Sequence, residues 1–216
     1  MKLTILYFIA GLTAYLVAGV NPAILLSKLI YHEDIRTCGK GSGNPGFTNF
    51  KRVYGGKWAW LVMVLDIGKC VALMAVFGTL FKSYAANNGL DPKGLRQIGI
   101  AYVMLMASIG HDFPVWYGFK GGKGFLVNMA AVWFLDWRAG VMAFAILCLF
   151  LFTVKYMSLA TMLAILSCPV MLLIHHGEPI AIVLSLIAAL LMVYRHKENI
   201  GRLMKGEESK FSFFKK

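Results

Sequence analysis

The sequence predicts an all-α, polytopic integral membrane protein with one domain, residues 1–216, and about seven transmembrane helices. Hydrophobic residues make up 59% of the 216 residues, charged residues only 15%, and the mean hydropathy is +0.68. A soluble domain carries about 25% charged residues. Lipid must therefore cover much of this surface, and no linker long enough to separate two domains is present.

Seven apolar runs are long enough to be candidate spans, because a hydrocarbon core of about 30 Å needs roughly 20 apolar residues in a helix. The runs cover residues 3–30, 57–81, 95–110, 122–135, 139–154, 158–175 and 179–194. The first is too long for a signal peptide, and Asn21-Pro22 predicts a bend in it, since proline removes a backbone donor. The fourth is short and contains Asn128, so five or six spans remain alternatives.

The basic residues predict the orientation of these spans. The chain has a net charge of +12, and seven spans place sixteen of its 22 Lys and Arg on the C-terminal side and five on the other, with Lys69 inside a span. Because positive residues accumulate on the cytoplasmic side, the C-terminus is predicted to be cytoplasmic and the N-terminus outside.

Four polar segments fall on the predicted cytoplasmic side. We name them loop one (31–58), loop two (110–124), loop three (155–161) and the tail (195–208). They are rich in glycine, hydroxyls, amides and cations. Glycine lets a backbone turn consecutive N–H groups toward an anion, and Lys and Arg add full charges that match phosphate. The pattern predicts a phosphate site at one face of the membrane.

Other functions fit these residues less well. Gly41-x-Gly43-x-x-Gly46 matches a dinucleotide fingerprint only in letters, because that motif requires a strand before it and a helix after it. The aromatic residues lie mostly in or beside the spans, which is typical of an interfacial belt rather than of nucleic-acid binding. The four cysteines form no CxxC pair, and we expect no metal site.

Two charged pairs near the spans leave alternatives open. Asp66 and Lys69 share a helix face at i, i+3 spacing, and such residues are either functional or a structural ion pair. His111 and Asp112 could form a catalytic pair, although the bracing of loop two is the preferred interpretation. We assign Lys215 and Lys216 at the C-terminus to topology and lipid contact.

Three long motifs resemble the signatures of the bacterial acyl-phosphate:glycerol-3-phosphate acyltransferases, the PlsY family. They are GSGNPGFTNFKR (41–52), GHDFPVWYGFKGGKG (110–124) and HKENIGRLMKGEE (196–208). Two shorter segments, LDIGK (65–69) and KYMSLAT (155–161), are also similar to family segments. The resemblance covers the whole chain in the correct order.

The resemblance implies a seven-helix enzyme of the bacterial inner membrane with its active site facing the cytoplasm. The enzyme would move a fatty acyl group from acyl phosphate to the 1-hydroxyl of glycerol 3-phosphate, in the first step of phospholipid synthesis. The products would be lysophosphatidate and phosphate. No cofactor and no nucleic acid are implied; the partners are the two substrates and membrane lipid, and the oligomeric state stays open, a monomer included.

The resemblance also implies site residues. The expected catalytic residues are Ser42, Arg52, His196 and Asn199. The expected substrate-binding residues are Gly41, Gly43, Asn44, Thr48, Asn49, Lys120, Gly121, Gly122, Lys123, Gly124, Ser158, Arg202 and Glu208. Of these, the glycine loop 121–124 would cradle the acyl phosphate, and Arg202 and Glu208 would brace the tail. The proton acceptor would be a substrate phosphate oxygen or His196.

The chain departs from the family pattern at Phe47, at Phe50-Lys51 and at Phe125-Leu126-Val127, where larger side chains could alter acyl-chain preference. Two rival functions are a transporter of phosphorylated anions and a non-enzymatic binder of anionic lipid. A transporter should place its cations near the midplane between repeats, but here they lie at one rim and no repeat is visible.

Overall fold

A computed structural model describes residues 2–211, and these form helices and loops without any strand. The Lys215–Lys216 pair, which we assign to topology, lies outside the described residues. The helices are α1 (Leu3–Gly19), α2 (Pro22–Tyr31), α3 (Phe47–Tyr54), α4 (Gly56–Asn87), α5 (Pro92–Asp112), α6 (Phe125–Leu135), α7 (Trp137–Thr153), α8 (Met157–Ile174), α9 (Pro179–Arg195) and α10 (Lys197–Met204). A single 3-10 turn, Val115–Tyr117, follows α5.

Helix α5 is the centre of the bundle. It packs against α1, α4, α6 and α9, and α7 and α8 pair beside α6 and α9. The core is built from small and aliphatic side chains such as Ala101, Met104 and Ile165, all fully buried. Large apolar side chains such as Phe8, Phe152 and Leu173 are instead more than 60% exposed on the outside, as expected for a lipid-facing surface.

Each of the seven predicted apolar runs contains a helix, but their lengths differ. Four segments are long and apolar enough to cross a membrane, and α9 taken together with α10 would make a fifth. Helix α6 has only 11 residues and α7 has 17. Helix α4 continues to Asn87, beyond the predicted end at residue 81. At 1.5 Å per residue its 32 residues span about 48 Å, so its polar last turns extend past the hydrocarbon.

The first apolar run is interrupted at Asn21-Pro22, the position where a bend is predicted. Helix α1 ends at Gly19, and α2 begins at Pro22 with Asn21 as its N-cap. The Asn21 carboxamide accepts a hydrogen bond from the Ile24 N–H at 3.1 Å and donates one to the Pro45 carbonyl at 3.0 Å. The break therefore also anchors loop one.

Loop one contains a short helix, α3, that hydropathy alone did not indicate. Its eight residues, FTNFKRVY, carry apolar and polar faces in equal measure, so they form no apolar run. Phe50 is fully buried and lies beside the stacked Tyr31 and Tyr54 rings, whose centroids are 4.0 Å apart. This second core, with Ile24, Ile35 and Val62, fixes loop one to α2 and α4.

The connections between helices gather at two opposite ends of the bundle. At one end, loop one, loop two, the start of α8 and the tail contact one another. At the other end, Arg96 donates to the Phe134 carbonyl at 3.0 Å, and the Glu178 N–H donates to the Gln97 side chain at 2.7 Å. All four predicted polar segments thus meet at one end.

Candidate active site

Loop one is shaped by a buried asparagine side chain. The Asn49 side-chain oxygen accepts a hydrogen bond from the Ser42 N–H at 2.8 Å, and Asn49 is only 2% exposed. Gly41 has a φ of +68°, and a Cβ at this position would lie 2.3 Å from the same oxygen. Gly41 and Asn49 therefore hold the backbone of loop one in one conformation. In this conformation Ser42 is exposed.

Loop two lies directly against the end of α5. The Gly121 N–H donates to the Asp112 carbonyl at 3.1 Å, and the Gly122 N–H donates to the His111 carbonyl at 3.0 Å. These two N–H groups are therefore engaged and do not form the anion nest that glycine content suggests. The loop instead turns at Gly124, which has a φ of +71° and caps α6. Lys123 is left as the cation that the loop presents.

Two arginines that lie just outside the three long motifs hold loop two in place. Arg36 donates through Nη1 to the Tyr117 and Lys120 carbonyls at 2.9 and 3.0 Å. Arg195 donates through Nη2 to the Gly121 and Gly122 carbonyls at 3.2 and 3.0 Å. The sequence signal for both is their position, since Arg36 precedes the first motif by a few residues and Arg195 immediately precedes the third.

A polar cavity of about 300 Å³ lies between these segments. Its lining combines hydroxyl, amide and cationic groups from loop one, loop two and the α9–α10 junction: Arg36, Ser42, Gly43, Asn44, Gly121, Lys123, Tyr194, Arg195, Lys197 and Glu198. Four cations face one carboxylate, so the cavity carries a positive excess. Such an excess in a concave site attracts anions.

Lys123 connects this cavity to a second polar cluster. Its Nζ donates to the Asn199 side-chain oxygen, and burial lowers the pKa of Lys123 below its ordinary value. The Asn199 amide in turn donates to Glu208 at 2.7 Å. A half-buried ammonium with a single amide acceptor is poorly neutralised, which favours the binding of an anion beside it.

Glu208 joins three elements at the base of this second cluster. Its carboxylate accepts hydrogen bonds from Ser158, Asn199 and Arg202, each at 2.7 Å. Burial raises its pKa, but these bonds outweigh burial and the net pKa is lowered. Arg202 and Glu208 thus contact each other directly, as a bracing role for this pair requires. Ser158 lies in the first turn of α8 and contributes its hydroxyl to the brace.

His196 is buried at the junction between α9 and α10. Its Nδ1 lies 2.8 Å from the Met192 carbonyl, and because a carbonyl only accepts, Nδ1 carries the proton and the neutral ring has its lone pair on Nε2. Burial lowers the pKa of His196 to about 4. The imidazole is therefore neutral at pH 7.

Five of the seventeen expected site residues line the cavity. Of the twelve others, three belong neither to the Glu208 cluster and the His196 junction nor to the glycine and asparagine positions that shape the two loops. Arg52 is exposed and donates to the Ser209 hydroxyl at 3.0 Å. Thr48 is half-buried in the first turn of α3, and Lys120 is exposed and takes part through its backbone carbonyl. These three residues do not line the cavity. The expected residues that do line it are Ser42, Gly43, Asn44, Gly121 and Lys123.

The charged residues in α4 tie helices together. Lys69 Nζ lies 2.8 Å from the Asp66 carboxylate and donates to the Ala18 and Val20 carbonyls at 2.8 and 2.7 Å. It thus satisfies carbonyls at the end of α1. His111 Nδ1 lies 3.5 Å from Lys69 Nζ, and a Cβ on Gly122 would lie 2.1 Å from His111 Nε2. For Asp66 and Lys69 these contacts favour the structural ion pair. For the other pair they place only the His111 ring, against Gly122 of loop two.

A second cavity, of about 420 Å³, is almost entirely apolar. It lies between the end of α1, α2 and α4 and is lined by aliphatic side chains and Lys69: Val17, Val20, Pro22, Leu25, Leu26, Leu29, Leu65 and Lys69. The Lys69 end of this apolar groove is next to His111, which contacts Gly122 of loop two. An apolar groove therefore approaches the polar site from the side of the bundle.

Comparison with known proteins gives consistent matches over nearly the whole chain. Residues 8–206 match the family model described as glycerol-3-phosphate acyltransferase. Proteins named glycerol-3-phosphate acyltransferase from Shewanella halifaxensis and Syntrophotalea carbinolica are 36% and 32% identical. The alignments cover 98% of the chain and 98% of the Shewanella protein, and 95% and 97% for the Syntrophotalea protein.

Two crystal structures of PlsY, an integral membrane glycerol 3-phosphate acyltransferase, have the same fold. The glycerol 3-phosphate form matches with a TM-score of 0.82 and 28% identity over 95% of this chain and 96% of that chain. The lysophosphatidic acid form matches with a TM-score of 0.78 and 26% identity over 95% of each chain. The all-helical integral membrane architecture is therefore shared with these structures.

Proposed function

The chain belongs to the glycerol-3-phosphate acyltransferase family, and we propose that it transfers a fatty acyl group from acyl phosphate to the 1-hydroxyl of glycerol 3-phosphate. The chain is thus an acyltransferase of phospholipid biosynthesis. Its products are lysophosphatidate and phosphate. The observation that carries the proposal is the cationic cavity between loop one, loop two and the α9–α10 junction, because both substrates present a phosphate group.

The two phosphates bind on opposite walls of the cavity. The acyl phosphate lies against loop two, where Lys123 supplies the ammonium. Glycerol 3-phosphate lies against loop one, where the Ser42 hydroxyl and the Asn44 amide line the wall. Arg36 and Arg195 cover the carbonyls of loop two, so that partial negative charges do not face the phosphates.

The reaction needs orientation more than a strong base. The glycerol 1-oxygen attacks the acyl carbonyl carbon, the bond from that carbon to the phosphate oxygen breaks, and phosphate leaves with the bonding electrons. Holding the two substrates together removes most of the entropic barrier, and Lys123 stabilises the charge that develops on the leaving phosphate.

The hydroxyl proton passes to a phosphate oxygen rather than to His196. With a pKa of about 4, His196 is a weaker base than a phosphate dianion, whose second pKa is about 6. Its Nδ1 is also held by the Met192 carbonyl. His196 therefore acts as a neutral group that supports the start of α10, where Asn199 contacts Lys123.

The fatty tail of the acyl phosphate lies in the apolar groove beside Lys69 and Leu25. The groove offers aliphatic side chains to the tail, and its end approaches loop two through His111. Leu25→Trp would fill the groove, so we expect it to shift preference toward dodecanoyl phosphate over palmitoyl and stearoyl phosphate. Leu90→Trp, at the opposite end of the bundle, is the matched control.

Seven spans place the site on the cytoplasmic face of the inner membrane, with the N-terminus outside. Hydrogen bonds that join the start of α5 to the end of α6 and to the start of α9 at one end, and the end of α9 to loop two at the other, support this arrangement. Helices α6 and α7 then count as short spans, and α6 is shortened because loop two occupies the space above it.

The test is phosphate release from palmitoyl phosphate by the purified protein, with and without glycerol 3-phosphate. We expect release that depends on glycerol 3-phosphate, and none from palmitoyl-CoA. Lys123→Met should lower kcat by roughly 100-fold or more, as for the loss of a group that stabilises transition-state charge. Lys120→Met, three residues away but exposed, should change it little.

Two results would contradict the proposal. Release that is indifferent to glycerol 3-phosphate would indicate an acyl phosphate hydrolase. The absence of release from a folded sample would indicate that the cavity binds phosphate for another purpose, and uptake of a phosphorylated anion into proteoliposomes would then be measured.

A further inference from the structure

Arg36 bridges the two loops that hold the substrates. Its Nε and Nη2 donate to the two oxygens of Asp34 at 3.0 and 2.7 Å. Its Nη1 donates to the Tyr117 and Lys120 carbonyls, 81 and 84 residues away along the chain. The guanidinium also lies over the Tyr117 ring, 5.6 Å from the centroid. One side chain therefore joins loop one to loop two.

Asp34 fixes the orientation of that bridge. The bidentate pair uses the planar fork of the guanidinium, and the Arg36 N–H also donates to Asp34 at 3.0 Å. Hydrogen bonding from Arg36 lowers the pKa of Asp34 to about 2, against a partial opposing effect of burial. The Asp34 carboxylate is thus charged at any pH at which the enzyme works. Its two hydrogen bonds with Arg36 hold the guanidinium in one orientation.

Arg36 also lines the cavity, although its bonds are directed at protein groups. Four bonds engage Nε, Nη1 and Nη2. A guanidinium has five N–H donors, so little of its capacity is left for a substrate. Its position therefore indicates a role in geometry: the distance between the Ser42 wall and the Lys123 wall of the cavity depends on it.

We propose that Arg36, oriented by Asp34, is a positioning residue that sets the separation of the two substrate loops and hence of the two reacting groups. The inference rests on the proposed function. Each loop keeps its own substrate contacts when Arg36 is removed, so both KM values should change little. The alignment of hydroxyl and carbonyl should be lost, and a misplacement of about 1 Å can cost roughly 100-fold in rate.

The chain contains a matched control for this test. Asp136 and Arg138 repeat the same Asp-x-Arg arrangement at the opposite end of the bundle, with Arg138 Nε and Nη2 at 3.0 and 2.6 Å from the carboxylate oxygens and the Arg138 N–H at 2.9 Å. Arg138→Lys removes an equivalent fork far from loop one and loop two.

The experiment measures kcat, both KM values and thermal unfolding for the wild type, Arg36→Lys, Arg36→Ala and Arg138→Lys. We expect Arg36→Lys to lower kcat by roughly 10- to 100-fold, with both KM values within about threefold and an unfolding temperature near that of Arg138→Lys. Added guanidinium at millimolar concentration should restore part of the kcat of Arg36→Ala. Lysine retains the charge, so Arg36→Lys also covers the case in which Arg36→Ala fails to fold.

Three outcomes separate the possibilities. Kinetics of Arg36→Lys equal to those of Arg138→Lys would overturn the positioning role. A rise of the glycerol 3-phosphate KM with unchanged kcat would overturn it as well, in favour of direct phosphate binding. A wild type without glycerol-phosphate-dependent release would instead contradict the proposed function itself, whatever the variants do.

Discussion

Gly122 shows at the scale of one residue why loop two needs glycine. Its N–H is bound to the His111 carbonyl, and a Cβ would lie 2.1 Å from the His111 ring. The ring cannot move aside easily, because His111 is only 5% exposed and lies beside Lys69. Glycine is therefore required at position 122 because there is no space for a side chain, and not because of an unusual backbone conformation.

Gly122→Ala should accordingly displace loop two and Lys123 with it. We expect kcat to fall by roughly 100-fold, since catalytic groups that move by about 1 Å lose about that much. Gly201→Ala is the control, because a Cβ there meets nothing within 4 Å and alanine favours the α10 helix by roughly 0.5–1 kcal/mol. Equal activity of the two variants would show that loop two tolerates the added methyl group.

His196 gives a pH dependence with a defined sign. Its pKa in the folded state is about 4, against an ordinary value of 6.5. The unfolded chain therefore takes up the proton first as the pH falls. The stability that His196 contributes is complete above about pH 6.5 and is lost as the pH decreases toward 4.

His196→Asn should remove this part of the dependence, because an amide can still donate to Met192 but does not titrate. The measurement is the thermal unfolding temperature in detergent between pH 8 and pH 5, with His32→Asn at an exposed position as control. The difference between wild type and His196→Asn should shrink as the pH falls. A difference that stays constant across this range would contradict the assignment.

Sequence and structure agree best where the chemistry is carried by side chains in motifs. Ser158, Asn199 and Glu208 were each selected from a motif, with different expected roles, and in the structure hydrogen bonds join them. The contacts of Arg36 and Arg195 with loop two could not be predicted, because they are made to backbone carbonyls, which every residue has. The hydrogen bonds from the Gly121 and Gly122 N–H groups to the end of α5 also could not be predicted, because they too are made to backbone carbonyls.

At the scale of elements, hydropathy located the apolar helices and missed the amphipathic ones. The seven predicted apolar runs each contain a helix, as expected for apolar segments that must satisfy their backbone groups internally. Helix α3 has no apolar run, since half of it faces water and half packs on α2 and α4. The last turns of α4, which extend to Asn87, are likewise polar. Hydropathy therefore does not indicate where this helix ends.

Lys69 ties α4 to the end of α1. It pairs with Asp66, which is 1% exposed, and satisfies two carbonyls where α1 ends. Lys69→Met would leave the carboxylate buried without its partner, so we expect a destabilisation of about 3–5 kcal/mol. Lys82→Met, at an exposed position of the same helix, should have little effect.

The double variant Asp66→Asn/Lys69→Met distinguishes the ion pair from a catalytic role. Removing both charges restores neutrality, so the unfolding temperature should recover in part relative to Lys69→Met, and kcat should recover with it. A double variant that is as stable as the wild type but inactive would show that Lys69 or Asp66 acts in the reaction rather than in the packing.

At the scale of the whole molecule, the distribution of Lys and Arg in the sequence and the contacts between loops in the structure indicate the same end of the bundle as the functional one. The Lys and Arg residues were assigned to sides only from their order in the chain, and the structure brings the same four segments together through side-chain contacts. Folding thus places the positive excess around the cavity. The same charges from which the orientation is predicted can also draw anionic substrates to the cavity.

The orientation can be measured with the chain's own cysteines. Cys70 and Cys168 are fully buried, and Cys38 lies half-buried in loop one. With Cys148→Ala, Cys38 is the remaining accessible thiol among the described residues. A membrane-impermeant maleimide should label it in inverted inner-membrane vesicles and leave it unlabelled in right-side-out vesicles, if loop one lies on the cytoplasmic side as we propose.

A second variant places a thiol at the opposite end of the bundle. Asn88→Cys, placed in a Cys38→Ser and Cys148→Ala background, introduces an exposed thiol at the other end of α4. It should be labelled in right-side-out vesicles only. Labelling of both positions from the same side would mean that α4 does not cross the membrane, and the seven-span arrangement would fail. Labelling of Cys38 from outside and of position 88 from inside would keep the spans but invert them, and acyl phosphate made in the cytoplasm could then not reach the cavity.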